Sequence, residues 1–308
     1  MQPSLTIMPE PQLRFEPMAE PEAKVTAVVV AAGSATRMGR DKQMIPLLGV
    51  PVLIRSLHAF DLCPAIRHIV VVAKESALSA VNDLCRRYEI AKLAGIVAGG
   101  NTRQESVLRG IEACPEETEY YAIHDGARPL VTQSCIREAI RGAVRYGAAA
   151  AGMRVKDTIK RIGAQGKVLK TPEREGLVAV QTPQVFRREI YREAVRRSAG
   201  QNWQVTDDCA LCERAGFEVY ITEGCYSNIK ITTVEDIAMA EALLRQPFCL
   251  LYPHQGTPIA FISIRDNQCR MPAYAACSTF PQKIIPSHPG LNCRAGGVCR
   301  LFGIFGAA

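Results

Sequence analysis

The chain lacks the features that would place it in a membrane, on a nucleic acid or outside the cell. None of its 308 residues belongs to an apolar run near the ~20 that a spanning helix needs, so no membrane segment is expected. Runs of basic residues interleaved with aromatics are missing, and nucleic-acid binding is not expected. The amino terminus has no basic region followed by an apolar one, so no secretory signal is read and a reducing cytoplasm is the expected location. A second Cys-x-x-Cys is missing as well: among twelve cysteines, Cys209 and Cys212 form the lone pair. They fall in a helical stretch and read as small buried apolar side chains.

What the chain does have is a basic centre. Residues 1–23 carry one arginine against four glutamates, or −3, and residues 246–308 carry +4. Of the formal +7, residues 24–245 therefore hold +6. An anionic small substrate accounts for that excess. Residues 1–23, with five prolines, read as a flexible leader. From Val25 to about Arg245 the pattern is regular. Val25–Ala31, His68–Ala73, Leu93–Ala98, Tyr120–His124, Ala148–Met153 and Glu218–Thr222 read as strands. Pro51–Leu62, Ser76–Tyr88, Arg103–Cys114, Gln133–Tyr146 and Arg187–Ser198 read as helices between them. Alternation of this kind implies an α/β fold with a mostly parallel sheet and a ligand site beyond the carboxyl ends of its strands. Residues 154–182 interrupt the rhythm and read as a projecting β-hairpin arm, whose exposed edges call for a partner surface such as a second copy of the chain. Residues 246–308, with seven prolines, six glycines and five cysteines, have no helical period and are expected to be poorly ordered. A metal site using Cys269, His288 and Cys299 is the alternative, disfavoured by irregular spacing.

Five segments carry chemistry. The run Val25–Val30 opens into Ala31-Ala32-Gly33, followed by Arg37 and Lys42. Exposed backbone amides with two fixed cations suit a polyphosphate that gains charge during reaction. Gly99-Gly100-Asn101, with Ser106, either approaches a flat base or forms a turn capped by Asn101 or Thr102. Asp125, at the end of an apolar strand, either holds Mg²⁺ or pairs with Arg128, while His124 reads as structural. Thr158, Arg174 and Thr182 lie in or beside the arm, and hydroxyls with a guanidinium suit a phosphomonoester. Lys230 precedes a helix start, where a cation favours an anion, and Thr206-Asp207-Asp208 opens another helix.

In their joint order these segments resemble the 2-C-methyl-D-erythritol 4-phosphate cytidylyltransferases of the non-mevalonate isoprenoid route, over roughly residues 25–245. The resemblance implies a Rossmann-like sheet of the sugar-nucleotide transferase type and a homodimer joined through the arm. It further implies that CTP and the polyol phosphate react with Mg²⁺. Ala32, Gly33, Arg37 and Lys42 would meet the triphosphate, and Gly100, Asn101 and Ser106 the cytosine. Asp125 would lie near ribose and metal. Thr158, Arg174, Thr182, Thr206 and Lys230 would hold the sugar phosphate, with Thr158 and Arg174 supplied by the neighbouring subunit. Arg37, Lys42 and Lys230 would act in catalysis. Val30 and Asp41 stand where many relatives carry proline, and Gly126 where alanine is commoner. The tail has no Asp-x-His motif of the kind a fused cyclodiphosphate synthase would need. The alternatives are a ribitol 5-phosphate cytidylyltransferase and a nucleotide-binding homologue without catalysis.

Overall fold

A computed structural model describes residues 23–33, 43–201, 203 and 205–245, together with the backbones of four short strands beyond them. The chain divides into two units, 1–240 and 241–308.

The first unit is built on seven strands: β1 (Val25–Val30), β2 (Ile66–Ala73), β3 (Leu93–Ala98), β4 (Tyr120–Asp125), β5 (Ala148–Arg154), β6 (Val178–Arg187) and β7 (Tyr220–Glu223). They lie in the order β7-β5-β6-β4-β1-β2-β3. The pairs β1–β2, β1–β4, β2–β3 and β5–β7 are parallel, and β6 is antiparallel to both its neighbours. β1 is central, and its run of small and β-branched side chains serves two core layers, as a strand covered on both faces must. Val25, Ala27 and Val29 pack with Leu53, Ile54, Leu57 and Phe60 of helix α1 (Val52–Asp61) and with Ile136 and Ile140 of a later helix. Val28 faces the opposite layer with Val72, Val107, Ile123 and Tyr191. The interleaved helices are α2 (Leu78–Arg87), α3 (Arg103–Glu112), α4 (Gln133–Tyr146), α5 (Arg188–Ser198), α6 (Asp208–Arg214) and α7 (Val234–Arg245). Thr102, Thr132 and Asp207 cap α3, α4 and α6 by accepting the amides of Glu105, Cys135 and Ala210.

The expected strands and helices are all present, with ends shifted by a few residues. β6 is the exception, because the sequence reading placed Val178–Thr182 in the arm. A proline inside a run argues against a sheet interior, yet Pro183 sits here in a cis peptide after Thr182. The register of β6 against β5 shifts between Val180 and Gln184, which accommodates it. The arm is correspondingly shorter. Its hairpin pairs Arg161–Ile162 with Val168–Lys170, and Ile159, Ile162, Val168 and Leu169 stand exposed on it.

The second unit contains a small antiparallel sheet of Ser263–Arg265, Gln268–Arg270, Cys299–Leu301 and Leu291–Asn292, paired in that order. The expectations for the 1–23 leader, and for the order and metal binding of 246–308, lie outside the described residues and side chains.

Candidate active site

At the carboxyl ends of β1, β2, β3 and β4 lies a cavity of about 500 Å³, where a parallel sheet places its ligands. Of the residues singled out in the sequence, Ala32, Gly33, Gly100, Asn101, Ser106, Asp125 and Lys230 line it. Arg37 and Lys42 lie outside the described residues. Gln43, Lys74, Thr102 and Arg103 also line the cavity, unanticipated as site residues.

Asp125 closes β4 and is 8% exposed. Its Oδ2 accepts from Lys230 Nζ at 2.9 Å, Arg128 Nε lies 3.4 Å away, and Arg103 Nε stands 3.7 Å from Oδ1. Burial alone would raise the carboxyl pKa, but these three cations more than offset it and hold the group well below the usual carboxylate range. Asp125 is therefore ionised at any physiological pH.

The loop carrying Lys230 is anchored beneath it. Asn228 is buried and donates its Nδ2 to Thr182 O at 2.9 Å and to Gln181 Oε1 at 3.2 Å, and its backbone carbonyl accepts from Arg128 Nη1 at 2.8 Å. Ile231 N donates to Ala127 O at 2.8 Å. Lys230, between these two anchors, is thus aimed at the end of β4. Arg103 is held from the other side: its Nη1 donates to Asp208 Oδ2 at 2.6 Å, and Asp208 Oδ1 accepts from Tyr191 Oη at 2.7 Å. Asp208 is buried, and with Asp125 it raises the Arg103 pKa against the opposing effect of burial. Cations and carboxylates alternate from Asp208 through Arg103 and Asp125 to Lys230.

His124 is fully buried. Its Nε2 donates to Arg128 O at 3.3 Å, and its Nδ1 accepts from the Thr182 hydroxyl at 3.0 Å. That hydroxyl in turn accepts the Asp125 amide at 3.1 Å. Thr182 is therefore buried under the site, fixing the backbone of Asp125. Thr158, Arg174 and Thr206 are exposed and do not line the cavity of their own chain. Arg174 Nη1 donates to Lys156 O at 3.1 Å, which folds the arm back on its own base.

The glycine loop after β3 is packed tightly. A Cβ on Gly99 would stand 2.3 Å from Ala32 Cβ and 2.8 Å from Ser106 Oγ, so only glycine lets the loops after β1 and β3 come this close. Thr102 is the α3 cap, so this segment serves both as helix start and as cavity wall.

A single ionised carboxylate ringed by fixed cations, beside a glycine loop at the open ends of a parallel sheet, defines an α/β enzyme that handles phosphorylated nucleotides. Known proteins narrow this class. The profile of 2-C-methyl-D-erythritol 4-phosphate cytidylyltransferase matches residues 25–246. A protein of that name from Caldanaerobacter subterraneus subsp. tengcongensis is 45% identical over 225 residues, spanning 72% of this chain and 99% of its own. One from Dehalococcoides mccartyi is 44% identical over 224 residues, spanning 72% and 97%. The structure of 4-diphosphocytidyl-2C-methyl-D-erythritol synthase from Anaerococcus prevotii superposes with a TM-score of 0.66 at 30% identity, covering 73% of this chain and 97% of that one. The chain belongs to the 2-C-methyl-D-erythritol 4-phosphate cytidylyltransferase family, and it is a nucleotidyltransferase.

Proposed function

We propose that the protein transfers a cytidylyl group from CTP to 2-C-methyl-D-erythritol 4-phosphate, forming 4-diphosphocytidyl-2-C-methyl-D-erythritol and pyrophosphate. The observation that carries this reading is the Asp125–Lys230 pair at the cavity wall, flanked by Arg103 and Arg128. In the reaction a phosphate oxygen of the polyol phosphate bonds to the α-phosphorus of CTP while the bond from that phosphorus to the β-phosphate bridging oxygen breaks. The nucleophile is already an anion, so no general base is required. His124 is not used as one: both its ring nitrogens are engaged inside the fold, and burial pushes its pKa down to about 4.

The barrier is repulsion between anions together with the entropy of alignment. Lys230 offsets the charge of the incoming phosphate, and Arg37 and Lys42 that of the triphosphate. Ala32 and Gly33 approach the triphosphate with backbone, while Gly100, Asn101 and Ser106 face the cytosine. A hard divalent cation needs only one or two protein carboxylates beside water and phosphate oxygens. Asp125, ionised at the cavity wall, fits Mg²⁺ in that role. When bound, the cation would supply charge neutralisation at the α-phosphate.

The same proposal includes a homodimer. Exposed Ile159, Ile162, Val168 and Leu169 on the arm supply an apolar surface to cover, and Thr158 and Arg174 on that arm would complete the phosphate site of the partner subunit. Thr206 would lie near the same phosphate, and Thr182 acts from beneath by fixing Asp125. A cytoplasmic location is part of the reading. Among the described residues no helix is long and apolar enough to cross a membrane. The names of the relatives favour methylerythritol phosphate over ribitol 5-phosphate and catalysis over nucleotide binding alone. Pyrophosphate release from CTP that depends on the methylerythritol phosphate tests the reaction. CTP binding without release would refute it.

A further inference from the structure

Asp208 is buried behind the cavity and held from three elements at once. On β6, Gln184 Oε1 accepts the amides of Asp208 and Cys209 at 3.1 and 3.2 Å, while its Nε2 donates to Asp207 Oδ2 at 2.9 Å, which pins the start of α6. From α5, Tyr191 Oη donates to Asp208 Oδ1 at 2.7 Å. The Tyr191 ring is itself fixed in the core, with ring centroids of Phe186 and Tyr121 at 5.3 and 6.2 Å. Asp208 Oδ2 is thereby set in one place, 2.6 Å from Arg103 Nη1. A buried ion pair adds little stability beyond what apolar side chains of the same volume would give, because desolvation offsets the attraction. Anchoring this thorough points instead to the placement of the arginine.

Arg103 opens α3 at the cavity wall, and a long side chain at a helix start has many rotamers to choose from. Here Nη1 is fixed on Asp208 while Nε faces Asp125 Oδ1 at 3.7 Å. Among the described residues none accepts from its Nη2. Neither Asp208 nor Tyr191 lines the cavity, so neither would touch a substrate there. We propose that Asp208 is a positioning residue: held by Tyr191 and Gln184, it orients the Arg103 guanidinium so that its remaining donor meets a phosphate oxygen of the reacting groups. The inference rests on the proposed cytidylyl transfer, in which CTP and the polyol phosphate both present that chemistry. A planar guanidinium pinned at one nitrogen has its other donors in place before the substrates arrive. Unpinned, it would be drawn onto Asp125, the other carboxylate within reach.

Pyrophosphate release by the full chain, with CTP and 2-C-methyl-D-erythritol 4-phosphate varied in turn, tests this in a double-mutant cycle. Arg103→Met is expected to lower kcat/KM by about a hundredfold and Asp208→Asn by about tenfold. The double variant should be no worse than Arg103→Met alone, since Asp208 then has nothing left to orient. Asp208→Glu, which keeps the charge at some cost in fit, should retain more activity than the isosteric Asp208→Asn; a role in packing alone predicts the reverse. Tyr191→Phe, which removes one hydrogen bond from Asp208, should cost about threefold and takes the place of Asp208→Asn in the cycle if the Asp208 variants do not fold. Whichever KM rises in Arg103→Met identifies the phosphate that the guanidinium meets. Losses that multiply in the double variant, near-normal turnover in Arg103→Met, or a milder loss in Asp208→Asn than in Asp208→Glu overturn the role of Asp208. Absence of release by wild type overturns the cytidylyl reading instead, and the same cycle read in calorimetric affinities for CTP and for the polyol phosphate then decides the positioning role.

Discussion

Lys230 Nζ stands 2.9 Å from Asp125 Oδ2, although the two residues come from distant parts of the sequence. The contact exists because Asn228 and Ile231, on either side of Lys230, are bonded to Arg128, Thr182 and Ala127 around the end of β4. Position is therefore set by buried backbone contacts, and the ammonium is left with a charge role. Lys230 is partly exposed, so the pair itself adds little to stability.

Lys230→Met should leave the fold intact and lower turnover by about a hundredfold, the usual cost of one preorganised charge contact, near 3 kcal/mol. Steady-state kinetics beside a thermal melt measure this. Near-normal turnover would remove Lys230 from the reaction.

His124 makes stability depend on pH. Burial lowers its pKa to about 4, against about 6.5 in an unfolded chain, so as pH falls the unfolded state takes up the proton first. This contribution is fully present above about pH 6.5 and is lost on falling towards pH 4, by an amount on the order of 3 kcal/mol. The depressed Asp125 carboxyl adds its own loss only at lower pH. Urea unfolding near pH 7.5 and near pH 5 should show a clear fall in wild-type midpoint and a smaller one in His124→Gln. Equal falls would assign the effect elsewhere.

Helix α3 reaches the sheet through Gly110. A Cβ there would stand 2.5 Å from Val28 Cγ1 and 2.6 Å from Val72 Cγ2, both in short, fully buried side chains. Gly110→Ala should destabilise the protein by about 1–3 kcal/mol through overpacking, despite the better helix propensity of alanine. A denaturant titration that finds the variant as stable as wild type would show that α3 can move away without cost.

Subunit sharing can be read by mixing. In the proposed homodimer Arg174→Ala impairs only the arm and Lys230→Met only the cavity, so each variant alone should be poorly active. Mixed dimers would pair an intact arm with an intact cavity at one of their two sites, and activity should return on mixing. A mixture no more active than its parts would place both residues in the same subunit's site.

Much of this was legible in the sequence, since Val25–Val30 and Leu93–Ala98 announce strands by composition and Thr102 announces a helix start. β6 was not, because Pro183 masks a strand whose register shift has no local signature. The site divides similarly. Asp125 and Lys230 were found from their places at element ends, whereas the Arg103–Asp208 pair is a contact across the fold that no spacing rule reveals. Lys74 carries a usable signal, since it directly follows β2 as Asp125 closes β4, although it stands outside any glycine motif. The resemblance implies Thr182 as a ligand to phosphate. Its hydroxyl is spent between His124 and Asp125.

The central claim is the transfer of a cytidylyl group to methylerythritol phosphate, and the most direct test is pyrophosphate release from CTP with that polyol phosphate and with ribitol 5-phosphate side by side. Rapid Mg²⁺-dependent release with 2-C-methyl-D-erythritol 4-phosphate and little with ribitol 5-phosphate is the predicted result; faster release with ribitol 5-phosphate, or none with either, would contradict it.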